Sequence, residues 1–365
     1  MSSTKSINEV SSKEIKKLVI IGNGFDLAHG LQTSYKNFLD WYMCKSLQQF
    51  CSNKSYTDPL IEIKNKYAGI QTMFDLSTKT FSDVLNFLSS SQHSSITYKS
   101  NFFQRILNEF HKDSWVNIEH YYFRILKTYY SNSSFTNKKE IVSKLNKELD
   151  FLITQLAIYF GSINSSMHDI PRLEMDPLKA DIYKLFTENN SSEIKYINFN
   201  YTDTINRKYF TKENDIIYIH GRVSDIDNNP IIFGYGDETD PAYQNMEDSG
   251  DNMYLEHIKS FGYFRTNNYH KLISYIDSSP YSVHIVGHSC GISDRVLLNE
   301  IFEHSNCQSI EIFYHASENG SDNFKEITQE ISRHFKPQNK NLMRRKILNK
   351  SIKNIIPQKS SNKNL

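Results

Sequence analysis

The sequence predicts an α/β fold: a mostly parallel sheet with a large helical insertion after its first strand. Three observations carry that expectation. The run Lys17-Leu18-Val19-Ile20-Ile21 has the apolar, β-branched character of a buried strand. No comparable run follows until about residue 190. Strand-like runs then return several times, and a helical pattern separates the last two, as in a βαβ unit.

In chain order, residues 1–14 are polar and read as a disordered N-terminus. The first strand stops at Gly22-Asn23-Gly24-Phe25-Asp26, and Thr33 or Ser34 is the expected cap of the helix that follows. "FSDVLNFLSS", "NFFQRILNEFHK", "WVNIEHYYFRILKTYY" and "EIVSKLNKELDFLITQLAIYFGSI" carry apolar residues at helical spacing, with Ser/Asn-rich breaks between them. Strands are expected at 193–200, 216–222, 230–236, 281–288 and 308–315. The helix expected at 294–304 makes the last pair parallel, with a right-handed crossover. "NFKEITQEISRHF" gives a final helix. Residues 15–32 and 190–335 therefore form the α/β domain. Residues 33–189 are an insertion longer than an ordinary crossover. Residues 336–365 carry lysines and arginines but no acid, and read as a basic C-terminal tail.

The 365 residues are 38% hydrophobic and 13% aromatic, enough for a sizeable core. The net charge of +1 gives no whole-protein attraction to nucleic acid or membrane. Cys44, Cys51, Cys290 and Cys307 form no Cys-x-x-Cys pair and no zinc spacing, so no metal is expected. Scattered thiols, no signal-peptide core and no membrane-length apolar run point to the cytoplasm.

In open parallel sheets, ligands bind beyond the C-terminal strand ends. Four expected strand ends carry small or polar residues. At the first, Gly22 and Gly24 permit a tight turn and close backbone approach, and the next helix turn offers amides to a phosphate. The dinucleotide fingerprint is incomplete: its third glycine is replaced by Leu27, and Asp40 falls within a predicted helix. At the second, Asn200 beside Tyr201 either orients a water or ribose hydroxyl or closes a strand-end turn. At the third, His220 before Gly221 suits a general base, or a histidine bonded to a backbone carbonyl.

The fourth is Gly287-His288-Ser289-Cys290-Gly291, followed by Ser293 and Asp294. Gly-x-Ser-x-Gly after a strand presents the nucleophile of many esterases. That reading needs a later acid (Asp294, Glu311 or Asp322) and a later histidine (His315 or His334), but little sheet follows Ser289 and no His-Gly-Gly segment exists. The alternative is a nucleotide loop: Ser289 donates a hydrogen bond, Gly287 and Gly291 let the backbone close on the ligand, and Asp294 caps the next helix.

"LVIIGNGFDLAHGLQTSYKNFL", "WVNIE", "INFNYTDTI", "IYIHG", "IIFGYGDE" and "IVGHSCGISDRVLLNEIF", in this order, resemble the AbiH family. That bacterial group is named for abortive infection, a defence against bacteriophage. The family in turn is similar, distantly, to Rossmann-like, sirtuin-type NAD-binding domains. That resemblance implies phosphate contacts from Gly22, Asn23, Gly24, Phe25 and Asp26. It sets Asn200 and Tyr201 beside the nicotinamide ribose, makes His220, with Gly221, the catalytic base, and gives Gly287, His288, Ser289 and Asp294 further ribose or phosphate contacts. Departures are plain. Asp203 lies one place later than in the sirtuin-like turn, the zinc cysteines are absent, and the insertion has no counterpart. Trp115 and Glu119 match a family stretch and read as packing and surface residues.

The expectation that follows is an abortive-infection protein that binds and hydrolyses NAD, needs no metal, answers a phage-derived trigger and forms a homo-oligomer. The alternatives are a nucleotide-sensing module, a toxin directed at nucleic acid through 336–365, and a serine hydrolase built on Ser289.

Overall fold

A computed structural model of the chain describes residues 15–65, 83, 94–110, 117–134, 136–169, 182, 185–186, 193–209, 215–317 and 319–358. Among them are eight strands: β1 (Lys16–Ile21), β2 (Ser55–Thr57), β3 (Ile61–Asn65), β4 (Ser94–Tyr98), β5 (Ile194–Asn198), β6 (Ile216–Tyr218), β7 (Tyr281–Val286) and β8 (Cys307–Phe313). The main sheet has the order β6-β5-β1-β7-β8, and every neighbouring pair is parallel. From β1 the chain builds outward on one side, then returns to build on the other. Ile21, the last residue of β1, lies opposite Asn198 on one flank and Val286 on the other. The order reverses between β1 and β7, where the loops after adjacent strands part and leave a crevice.

The β1 run explains its own central place. Leu18, Val19, Ile20 and Ile21 are all fully buried. Side chains alternate across a strand, so Leu18 and Ile20 enter one core and Val19 and Ile21 another. The first core is closed by the helices Asn268–Ser278, Arg295–Glu303 and Phe324–His334, the second by Phe25, Ile182, Phe186 and Ile205. Each such side chain contributes about 1.5–3 kcal/mol by leaving water.

The insertion holds the helices Tyr35–Asn53, Asn101–Phe110, Ile118–Ser131 and Lys138–Ser165. Ser34 caps the first, its Oγ accepting from Asn37 N at 3.1 Å. The expectation of helices alone is corrected here: β2, β3 and β4 form a small antiparallel sheet inside this region. Its signal is short, with Ile61 and Ile63 buried and Glu62 and Lys64 turned outward. The helix expected at 81–90 falls almost wholly outside the described residues. The insertion shares its core with later parts of the chain, including Tyr201, Phe233, Tyr235, Met246 and Ile258.

Residues 230–236 form no strand. They run as a strap stitched to 257–259, with Tyr235 N bonded to His257 O and Lys259 N to Tyr235 O, both at 3.0 Å. Pro230 lacks an amide hydrogen, and Gly234 has φ +155°, so no ladder extends there.

The segment from residue 336 is not a free tail over the described residues. Ile347 bridges Ile310 and Ile355 bridges Tyr314, so 347–356 runs along β8 and covers the sheet edge. Lys346 is buried and donates to Phe302 O at 2.8 Å and His304 O at 2.9 Å. Lys350 pairs with Asp322. The basic composition masked the apolar residues that dock the segment. No helix of the described residues is long and apolar enough to cross a membrane.

Candidate functional site

A cleft of about 1020 Å³ opens over the β1–β7 crevice. The insertion supplies one wall, with Tyr35, Asn117, Glu119 and Phe160; the helix Phe324–His334 supplies part of another. The floor comes from the loops after β1, β5, β6 and β7.

The loops after β1 and β7 lock together through their backbones. Gly22 N donates to Val286 O at 3.1 Å, and Gly24 N to Gly287 O at 2.7 Å. A Cβ on Gly22 would lie 2.5 Å from His288 Cα. Gly287 has φ +68°, and a Cβ there would lie 2.2 Å from Phe25 N. These glycines serve the contact between loops, and the amides of Gly22, Gly24 and Phe25 are committed within the protein. Gly291 differs: the nearest atom to a Cβ there is Ser289 Oγ, at 3.8 Å.

Asp26 stands at the base of the β1 loop, fully buried. Thr202 Oγ1 donates to its Oδ2 at 2.6 Å, and its Oδ1 has no partner. Burial lifts this carboxyl from 3.8 to about 6, against the hydrogen bonds that favour its charge. Asn200 is turned inward, its Nδ2 donating to Gly22 O at 3.0 Å, which ties the β5 loop to the β1 loop. Asp203 holds Arg222 and Arg207 and fixes the β5 and β6 loops to each other.

His220 follows β6. Its Nε2 lies 3.2 Å from Asp294 Oδ1, off the alignment of a hydrogen bond. Phe199 packs against both His220 and His288, with ring centres 4.9 and 4.2 Å away. Cys290 N donates to His288 Nδ1 at 3.0 Å, so the neutral ring carries its proton on Nε2, which faces Asp294 Oδ2 at 3.7 Å. Burial holds His288 down at about 4, which keeps it neutral near pH 7.

Asp294 occupies the cap position of the helix Arg295–Glu303 but makes no capping bond. Its carboxylate is drawn instead to Lys259 Nζ, 2.7 Å away. Burial works against the Asp294 charge, but Lys259 first and His220 second hold the carboxyl well below its usual range. Lys259 also reaches both oxygens of Glu119, at 2.9 and 3.0 Å. Glu119 further accepts from Gly234 N at 3.2 Å. Two buried carboxylates therefore share one buried ammonium. With His288 neutral, the cluster of Glu119, Lys259 and Asp294 leaves a surplus negative charge beside His220.

Of the residues expected at the site, Asn23, Gly24, Asp26, Asn200, Tyr201, His220, Gly287, His288, Ser289 and Asp294 line the cleft. Three do not. Phe25 has its ring in the core, 5.5 Å from that of Phe186. Gly22 packs on His288, and Gly221, at φ +87°, packs on Pro230. Ser289 is exposed and bonds to no histidine among the described residues, so no nucleophile–base pair forms around it. Glu119 is corrected from a surface residue to a buried ion-pair partner. Trp115 lies outside the described residues. Lys259 had no sequence signal: it is a lone lysine in an aromatic stretch.

The family model for bacteriophage abortive infection AbiH matches residues 18–316. The chain belongs to the AbiH family. The match starts in β1 and runs past β8, so its span takes in both the insertion and the α/β part of the chain. Membership carries a role in abortive infection, the defence against bacteriophage. No curated protein and no solved structure matches.

Proposed function

We propose that this AbiH protein binds NAD in the cleft and hydrolyses the bond between nicotinamide and ribose, through a Rossmann-like, sirtuin-like site. The observation that carries this reading is the surplus negative charge of Glu119, Lys259 and Asp294 beside His220. Breaking that bond develops positive charge on the ribose, and a fixed buried anion stabilises it. A phosphoryl centre would gain nothing from that anion.

In this reading, with Nε2 turned to Asp294, His220 Nδ1 takes the proton from an attacking water. The water oxygen bonds to C1′, the C1′–N bond breaks, and nicotinamide leaves with the bonding pair. A positioned base contributes about 100- to 10,000-fold. Asn200 acts by holding the β1 loop in place. The phosphates fall to the cleft-facing parts of the other loops, Asn23, Ser289 and Gly291.

The test is to incubate purified protein with NAD and quantify free nicotinamide, with His220→Ala and Asn200→Ala beside wild type and melting curves for all three. Release by wild type and none by folded His220→Ala supports the reading. No release by wild type, with NAD still raising its melting temperature, replaces hydrolysis with nucleotide sensing.

A further inference from the structure

Asp150, on the helix Lys138–Ser165, meets Glu256 and His257 outside the cleft. One ligand atom from each lies within 4.8 Å of the others. His257 is 8% exposed, yet its Nε2 has no hydrogen-bond partner and sits 3.5 Å from Asp150 Oδ1. A buried imidazole nitrogen left without a partner is costly unless something completes it. Glu256 is held from behind. Asn146 Nδ2 donates to Glu256 Oε2 at 2.6 Å and to Met253 O at 2.8 Å, while Asn146 Oδ1 accepts from Tyr122 at 2.6 Å.

We propose that Asp150, Glu256 and His257 form a binding site for a transition-type divalent cation, with zinc as its representative. Ligands about 2.1 Å from a tetrahedral zinc lie about 3.4 Å from one another, and the imidazole–carboxylate separation already matches. Asp150 is exposed, so its carboxylate can draw inward to complete the set beside Glu256, which Asn146 holds in place. Asn146 supplies the outer support that metal-ligating carboxylates need. One imidazole selects zinc or manganese over calcium, which takes oxygen ligands. Solvent supplies the remaining position. No motif spacing announces the site, because the adjacent pair Glu256 and His257 is completed only by Asp150, about a hundred residues earlier in the chain. A bound ion would clamp the insertion to the segment that carries Lys259, two residues after His257. The inference does not depend on the NAD reading.

The test uses the full chain, stripped with EDTA and returned to chelator-free buffer. Zn²⁺, Mn²⁺ and Ca²⁺ are titrated by calorimetry, with melting curves at each end point. Wild type should bind Zn²⁺ at this site with a rise in melting temperature, and Ca²⁺ at least about 10-fold more weakly. Asp150→Asn and Glu256→Gln are surface changes; each should weaken Zn²⁺ at least about 10-fold and leave the metal-free melting temperature unchanged. His257→Gln should remove the site. Zn²⁺ affinity unchanged in both carboxylate variants, no stabilisation of wild type by Zn²⁺, or Ca²⁺ equal to Zn²⁺ would each overturn the proposal.

Discussion

The Lys259 ammonium lies 2.7 Å from the Asp294 carboxylate and 2.9 Å from that of Glu119, and all three side chains are buried. Lys259 leaves the α/β part of the chain to meet Glu119 in the insertion, so a single ion joins the two regions at the floor of the cleft. Lys259→Met removes the ion and strands two buried carboxylates. The expected loss is about 3–5 kcal/mol by urea unfolding, the range for breaking a buried pair from one side. Glu119→Gln leaves one carboxylate per ammonium and should cost clearly less. Equal losses from the two variants would mean that charge balance does not govern the cluster.

Acid sensitivity follows from three buried histidines, against one buried carboxyl. Burial holds His29, His288 and His334 at about 4, below the ordinary 6.5. Between those values the unfolded chain binds more protons, so stability rises with pH across that window and is lost on acidification. Asp26 works in the opposite sense. Burial lifts it from 3.8 to about 6, the folded state keeps the extra proton, and stability falls as pH rises between those values. Each displacement corresponds to about 3 kcal/mol. Three groups against one predict a net gain in stability from about pH 4.5 to 7. Asp26→Asn should steepen that gain and raise stability near neutral pH. A flat urea profile for wild type would contradict the histidine assignments.

The loop glycines separate into two kinds. Gly287→Ala sets a Cβ 2.2 Å from Phe25 N at φ +68° and should cost at least about 2 kcal/mol while opening the β1–β7 lock. Gly291→Ala meets nothing closer than 3.8 Å. It should melt like wild type and weaken only the binding of whatever enters the cleft. Melting curves for the pair decide this, and equal losses would count against the lock.

Removing 347–365 uncovers β8. The bonds from Leu348 N to Ile310 O and from Tyr314 N to Asn354 O, both 2.9 Å, go with it. The expected result is a less stable chain that self-associates through the bared strand, read by light scattering. A truncated chain that scatters light and melts like wild type would return this segment to the status of a dispensable tail.

The parallel sheet was legible because its strands carry apolar, β-branched residues; Leu18–Ile21, buried on both faces, is the clearest, while β8 at the edge alternates buried Ile310 and Ile312 with half-buried Ser309 and Glu311. Residues 230–236 have the same composition but belong to a strap, since Pro230 and Gly234 break the ladder and Phe233 and Tyr235 are drawn into the insertion's core. The terminal segment was misread through averaging: its lysines outnumber the few residues, Ile347 and Ile355 among them, that fix its path. At the site, the loops after parallel strands pointed to residues that line the floor of the cleft. The ion that organises them did not show, because Lys259 and Glu119 come together only through tertiary packing. Asp294 was placed correctly at a helix start but given the wrong role, since an ammonium at 2.7 Å outcompetes backbone amides.

The lock between the β1 and β7 loops has a consequence for synthesis. Gly22 leaves the ribosome early, while Gly287 and Asp294 leave it only after the whole insertion and most of the sheet. β1, the centre of the sheet, must wait for both of its neighbours. A nascent chain therefore carries no assembled site, and a product of a broken message that ends before β7 lacks both the lock and the acid. The cell meets this site only on chains whose translation has passed the last of its parts.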